Sequence, residues 1–275
     1  MLPEAWLPES EPNERDGEQA QRSPHLLVLD INGLLIDRTL SVLLDNDGKP
    51  MEPSARTGSF CIYDRPGMRP FVAMLLSRFT VGVWSSARQH NLAGLVSHIF
   101  GDAASQLTFV WGQERCSYAG KSVRNKPLFL KELFRLWAEE QFAGFAPNNT
   151  LLLDDDVYKA ARNPAHTAIH PTKYSHASNS TDTELQPDGA LWAFLFQLSN
   201  EESVPAYVQQ TNYGEAGRPT SAEALAQLMG ENSEPKLPAR QSVGDGEAVG
   251  EDGARDQGAH KRREKKRRRR EALAL

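Results

Sequence analysis

The chain has 275 residues, of which 39% are hydrophobic, and a formal net charge of −5. Its two cysteines, Cys61 and Cys116, lack any motif spacing, which excludes a disulfide framework and a zinc site and points to a reducing compartment. No stretch is long and apolar enough to span a bilayer, and the acidic start is unlike a secretory or mitochondrial presequence.

Residues 1–23 are acidic and proline-bearing (Glu4, Glu9, Glu11, Glu14, Asp16, Glu18). Such a segment cannot bury enough apolar surface to offset the entropy of ordering, so a disordered tail is expected there. The folded core is expected over residues 24–212. It begins with the apolar run His25–Leu29, a buried strand that ends in Asp30, with Asn32 and Gly33 close behind. A polar loop through Asp45-Asn-Asp-Gly48 leads to a short return strand at Phe60–Tyr63. Arg65-Pro66-Gly67 opens a helix with Phe71, Met74, Leu75 and Phe79 on its apolar face, Pro66 being placed in the first turn.

Thr80–Trp84 predicts a second buried strand, ending in Ser85-Ser86. A helix through Leu92, Leu95 and Val96 and a strand over Leu107–Trp111 follow. The apolar positions Leu130, Leu133, Phe134 and Trp137 predict a helix over Phe129–Trp137. Thr150–Leu153 is another strongly buried strand and runs into Asp154-Asp155-Asp156. Ala168–His170 is a further strand candidate, and Leu191–Leu198 a last apolar helix. Trp84, Trp111 and Trp137 fall at apolar-periodic positions and read as core. His166 and His170 read as structural, with no second ligand at metal-like spacing.

Residues 213–275 are rich in Gly, Glu, Ser, Ala and Pro and read as a disordered tail. Gly244…Gly258 lacks a strand–helix context and is linker rather than phosphate loop. The tail ends in the basic run Lys261–Arg270. That run predicts contact with the nuclear import machinery, hence a nuclear or else cytoplasmic protein. No nucleic-acid reading element accompanies it, so only non-specific contact with nucleic acid is expected.

Alternating strands and helices specify an α/β fold with a mainly parallel sheet covered on both faces. Ligands bind at the carboxyl edge of such a sheet. Asp30, Ser85, Asp154 and Asp155 all sit at strand ends and converge there. A lysine between the second and third of these strands, Lys131 or Lys126, can join them. Carboxylates hold a hard cation such as Mg²⁺, lysine and metal neutralise phosphoryl oxygens, and an aspartate can attack phosphorus. The set is that of a phosphoryl-transfer site.

The series Leu-Val-Leu-Asp-x-x-Gly, Arg-Pro-Gly, Val-Trp-Ser-Ser, Phe-Leu-Lys-Glu-Leu and Leu-Leu-Asp-Asp resembles the haloacid dehalogenase superfamily. Within it, the chain is similar to the RNA polymerase II C-terminal-domain phosphatases and NLI-interacting factors. The resemblance runs from Leu26 to Gly214 and includes Asn163-Pro-Ala-His166. It implies a Rossmannoid three-layer sandwich with flanking disordered tails. It also implies a Mg²⁺-dependent protein serine/threonine phosphatase with a phosphorylated protein or peptide as substrate. Asp30 falls on the nucleophile and metal ligand, and Asn32 on the general acid/base, whose carbonyl also reaches the metal. Ser85 falls on the phosphate-binding hydroxyl, and Lys131 on the charge-stabilising lysine, with Lys126 as fallback. Asp155 falls on the second metal carboxylate, with Asp154 beside it as ligand or support.

Two positions depart from that pattern. Asn32 cannot hold or release a proton, and Leu34 replaces a small hydroxyl residue. The alternative reading is therefore a catalytically impaired pseudophosphatase that binds a phosphorylated or acidic partner. Strand-end capping by Asp30, a turn role for Ser85, N-capping by Asp154–Asp156 and a solvated helix face for Lys131 are the purely structural readings.

Overall fold

The computed structural model describes residues 23–178, 181–214 and 218–230. The acidic stretch 1–22, the Gly-rich linker and the basic run Lys261–Arg270 lie outside them.

The first strand, β1 (Leu26–Leu29), is apolar at every position and wholly buried, as a strand covered on both faces must be. A small antiparallel sheet follows, formed by β2 (Ile36–Thr39), β3 (Ala55–Thr57) and β4 (Phe60–Asp64) in the order β2-β4-β3. Helix α1 spans Met68–Arg78. Gly67 is its N-cap in the left-handed conformation, so Pro66 stands just outside the helix, and Pro70 occupies the first turn instead. Then come β5 (Thr80–Trp84), α2 (Leu92–Phe100) and β6, which pairs only over Val110–Trp111 rather than from Leu107.

The segment expected as a helix over Phe129–Trp137 divides. Strand β7 (Ser117–Lys121) and strand β8 (Pro127–Leu130) form an antiparallel hairpin, and only Phe134–Trp137 is helical, as α3. Leu128 and Leu130 alternate inward with strand periodicity, and Phe134 is exposed. Trp137 is half-buried and donates its indole N–H to Thr150 Oγ1 at 3.0 Å. The remaining elements are β9 (Thr150–Leu153), β10 (Ala168–Ile169), α4 (Ala190–Leu198), α5 (Val204–Thr211) and α6 (Ser221–Met229).

The central sheet has five strands in the order β10-β9-β1-β5-β6, and every pair is parallel. Its two faces carry separate cores, because successive side chains on a strand point opposite ways. Leu27, Leu29, Val81, Val83, Leu151 and Leu153 pack with residues of α1, α2, α4 and α5. Leu26, Val28, Trp84 and Leu152 pack with Phe109, Trp111, Leu133, Leu136 and Phe142 on the other side. This is the three-layer α/β sandwich that the resemblance implies.

Gly82 shows how tightly the second core is filled. A Cβ there would lie 2.2 Å from the Phe109 ring. Gly82→Ala is expected to lose about 1–3 kcal/mol in urea unfolding through overpacking, and an unchanged midpoint would mean that the ring moves aside freely.

Helix α6 corrects the expectation of a disordered tail beginning at residue 213. Thr220 and Glu223 form a reciprocal capping box at its start, and Gly230 in the left-handed conformation ends it. Its last turn is tied to the β7–β8 hairpin, where the Val123 N–H donates to the Leu228 carbonyl at 2.9 Å. No helix among the described residues is long and apolar enough to cross a membrane.

Candidate functional site

Because β1, β5 and β9 run parallel in register, their carboxyl ends meet on one edge. Asp30, Ser85, Asp154 and Asp155 stand there, all buried. The sheet itself holds their backbones. The Asp30 N–H donates to the Leu153 carbonyl at 2.9 Å, and the Ser85 N–H donates to the Trp111 carbonyl at 2.8 Å. Ser85 Oγ accepts the Ala87 N–H at 3.1 Å and faces the same cleft as Asp30.

Lys131 comes to the site from the loop directly after β8, not from a helix. Its side chain is wholly buried, with Nζ 3.1 Å from Asp30 Oδ1 and 2.5 Å from Asp154 Oδ2. Asn163 clamps that loop. Its Oδ1 accepts the Leu133 N–H and its Nδ2 donates to the Lys131 carbonyl, both at 2.9 Å. Lys126 is exposed in the β7–β8 turn, where its backbone N–H donates to Ser122 Oγ at 3.2 Å. The hairpin thus separates the two lysines that sequence alone left open.

A second buried lysine, Lys159, was not foreseen. It lies in the short 3₁₀ turn Val157–Ala160 that follows the acidic triplet. Its Nζ donates to Asp30 Oδ2 at 2.8 Å and to Asp154 Oδ1 at 2.9 Å, with Asp156 Oδ2 3.3 Å away. Lys173 adds a third cation, 2.7 Å from Asp155 Oδ2 and 3.2 Å from Asp156 Oδ1. Lys159 stands three residues after Asp156, a spacing that sequence could have offered as an ion pair within one turn. Lys173 carried no local signal.

These contacts set the charge states. Burial alone would raise the Asp30 pKa, but the ammonium groups of Lys131 and Lys159 outweigh it and hold the carboxyl well below its ordinary range. Asp155 goes the other way. Burial, then repulsion from Asp154 and Asp30, pushes it up to about 7. Burial also disfavours the Lys159 charge, yet the surrounding carboxylates, Asp154 first, raise its pKa well above the ordinary value.

Gly33 makes room for this cluster. Its φ is +88°, and a Cβ there would lie 2.4 Å from Asp155 Oδ2. Asn32 sits beside the cluster on the cleft wall and contributes no carboxylate to it. Its Oδ1 accepts the Arg38 N–H at 2.8 Å, which ties the strand-end loop to β2.

The cleft over Asp30 is about 120 Å³ and is lined by Asn32, Arg38, Ser85, Ser86, Lys159 and Lys173 among others. The Arg38 guanidinium stacks over the Phe60 ring, 4.2 Å from its centroid. The wall thus sets the cations Arg38, Lys159 and Lys173 and the hydroxyls of Ser85 and Ser86 around the carboxylates of Asp30 and Asp156, and the cations and hydroxyls suit a bound oxyanion.

Oxygens of Asp30, Asp154 and Asp155 lie within 4.8 Å of one another. Asp155 Oδ1 is buried without a hydrogen-bond partner. Asp154 Oδ2 and Asp155 Oδ2 also lack a hydrogen bond but each meets a lysine ammonium group, so a set of hard oxygens with one atom left without either kind of partner fits a small divalent cation in donor chemistry.

The family described as NLI interacting factor-like phosphatase matches residues 25–205. A protein of Schizosaccharomyces pombe, described as an uncharacterised FCP1 homology domain-containing protein, is 26% identical over 192 residues, covering 66% of this chain and 75% of its own length. Among solved structures, fission yeast RNA polymerase II CTD phosphatase Fcp1 bound to beryllium fluoride aligns with a TM-score of 0.38 and 13% identity over 75% of this chain and 62% of that one. A second structure of Fcp1, an essential RNA polymerase II CTD phosphatase, aligns with a TM-score of 0.38 and 14% identity over 76% of this chain. It is matched over 58% of its own length, so this chain spans less than two thirds of either solved chain. With its family match extending from the first strand of the sheet to the start of α5, the chain belongs to the NLI interacting factor-like phosphatase family.

Proposed function

We propose that the domain transfers the phosphoryl group of a protein phosphoserine or phosphothreonine to Asp30 and then to water. The observation that carries this reading is Asp30 itself. It is an ionised carboxylate at the end of the central strand, held between two ammonium groups at the base of a basic, oxyanion-sized cleft.

In the first step a new bond forms between an Asp30 oxygen and phosphorus, and the bond from phosphorus to the serine or threonine oxygen breaks. Lys131 offsets the charge on the reacting oxygens, and Ser85 and Arg38 orient the phosphoryl group. The departing oxygen needs a proton. Asn32 can donate a hydrogen bond but cannot give up that proton, so it comes from solvent and this step is slow for an alkyl leaving group. Water then attacks phosphorus, the bond from phosphorus to the Asp30 oxygen breaks, the proton of the water passes to solvent, and phosphate and the Asp30 carboxylate are released. Asp30, Asp154 and Asp155 are the residues that would hold Mg²⁺, which supplies further positive charge against the phosphoryl oxygens.

An aryl phosphate leaves without protonation and is the substrate of choice for a test. The full chain should release phosphate from it, and Asp30→Asn should reduce release to the uncatalysed level. Equal rates for the two proteins sink the enzymatic reading. The second reading, a phosphopeptide-binding domain without turnover, is favoured by the amide at position 32. It predicts phosphopeptide affinity that Asp30→Asn leaves intact and no release from either substrate. The basic run Lys261–Arg270 supports a nuclear location for either activity.

A further inference from the structure

The carboxylates suited to a divalent ion are already engaged by lysine. Lys131 contacts Asp30 Oδ1 and Asp154 Oδ2, while Lys159 contacts Asp30 Oδ2 and Asp154 Oδ1. All four oxygens of the pair therefore face an ammonium group. Asp155 differs. Its Oδ1 is buried and without a hydrogen-bond partner, and only its Oδ2 meets Lys173.

We propose that Lys159 is a tethered cation that occupies the part of the metal subsite formed by Asp30 and Asp154, so that a divalent ion binds only when the Lys159 side chain withdraws. An ion bonded directly to Asp30 Oδ2 or Asp154 Oδ1 would meet an ammonium group already 2.8–2.9 Å from those atoms. Two cations cannot share these lone pairs in a water-poor site without strong repulsion. The lysine gives way more readily than a fixed wall would. It hangs from a short 3₁₀ turn, its stem is flexible, and the adjoining cleft offers space for its head. The site thus carries its own positive charge, and divalent metal acts as a competitor to Lys159 rather than as a permanent resident. This rests on the reading of the cluster as a phosphoryl-transfer centre, but it concerns metal affinity, which can be measured without turnover.

The experiment is direct Mn²⁺ binding to the full chain, followed by the paramagnetic signal of the free ion and by the melting temperature with and without Mn²⁺. Wild type should bind weakly and melt at nearly the same temperature with the ion. Lys159→Met, which keeps the stem and removes the charge, should bind at least about tenfold more tightly, because carboxylates left without a counter-ion seek another. Its melting temperature should fall without Mn²⁺ and recover with it. Lys159→Arg keeps the charge and should bind as weakly as wild type. If Lys159→Met folds only with Mn²⁺, that dependence supports the proposal. Wild type binding as tightly as Lys159→Met overturns it, and so does a folded Lys159→Met that binds no Mn²⁺. A protein without phosphatase activity would leave these affinities unchanged, so the functional reading fails or stands separately.

Discussion

Asn32→Asp is expected to raise the hydrolysis of an alkyl phosphate by about 10²–10⁴-fold, the usual worth of a positioned general acid and base. An aryl phosphate should gain far less, because its leaving oxygen needs no proton. The substitution suits the local structure. Asn32 Oδ1 already accepts the Arg38 N–H at 2.8 Å, and a carboxylate oxygen accepts the same bond. The new carboxyl would stand on the wall of the same cleft that Asp30 lines. The comparison calls for steady-state rates on both ester types, with Asp30→Asn in each background as the blank. Equal gains on the two esters would show that leaving-group protonation is not the limiting step.

The second large effect concerns folding. Lys131→Met should lower stability by about 3–5 kcal/mol, the range for removing one partner of a buried ion pair. The Lys131 side chain is fully enclosed, with its ammonium group shared between Asp30 and Asp154. Without it, Lys159 alone faces both carboxylates, and Asp154 is wholly buried. Lys126→Met at the exposed hairpin turn should stay within about 0.5 kcal/mol of wild type. Urea midpoints for the two variants decide the matter. Similar midpoints would mean that the Lys131 contacts contribute little and that water or a bound ion replaces them easily.

Much of the site was legible because it follows from strand ends. Asp30, Ser85 and Asp154–Asp155 each terminate an apolar run, and runs that are apolar throughout occur where a parallel strand is buried on both faces. Parallel pairing then brings the ends together without further information. Helix α6 was legible too, and missed. Thr220 and Glu223 have capping-box spacing and Gly230 closes the segment. Composition averaged over the whole tail concealed those local signals.

The segment from Pro127 to Trp137 was ambiguous for a physical reason. Leu128 and Leu130 fit a strand, while Leu130, Leu133, Phe134 and Trp137 fit a helix face, and short apolar runs satisfy both periods. Pairing with Ser117–Lys121 decided it, and pairing depends on a partner elsewhere in the chain.

By itself, the sequence determined the parallel sheet, the carboxylate at the end of its first strand and the amide at position 32, because each is written in a short contiguous stretch. The tertiary structure alone decided that Lys131 reaches the cluster and Lys126 does not, and that Lys159 and Lys173 join it. Long side chains from loops meet where the fold leaves carboxylates in need of a partner, and that need is set by burial and by the sum of neighbouring charges.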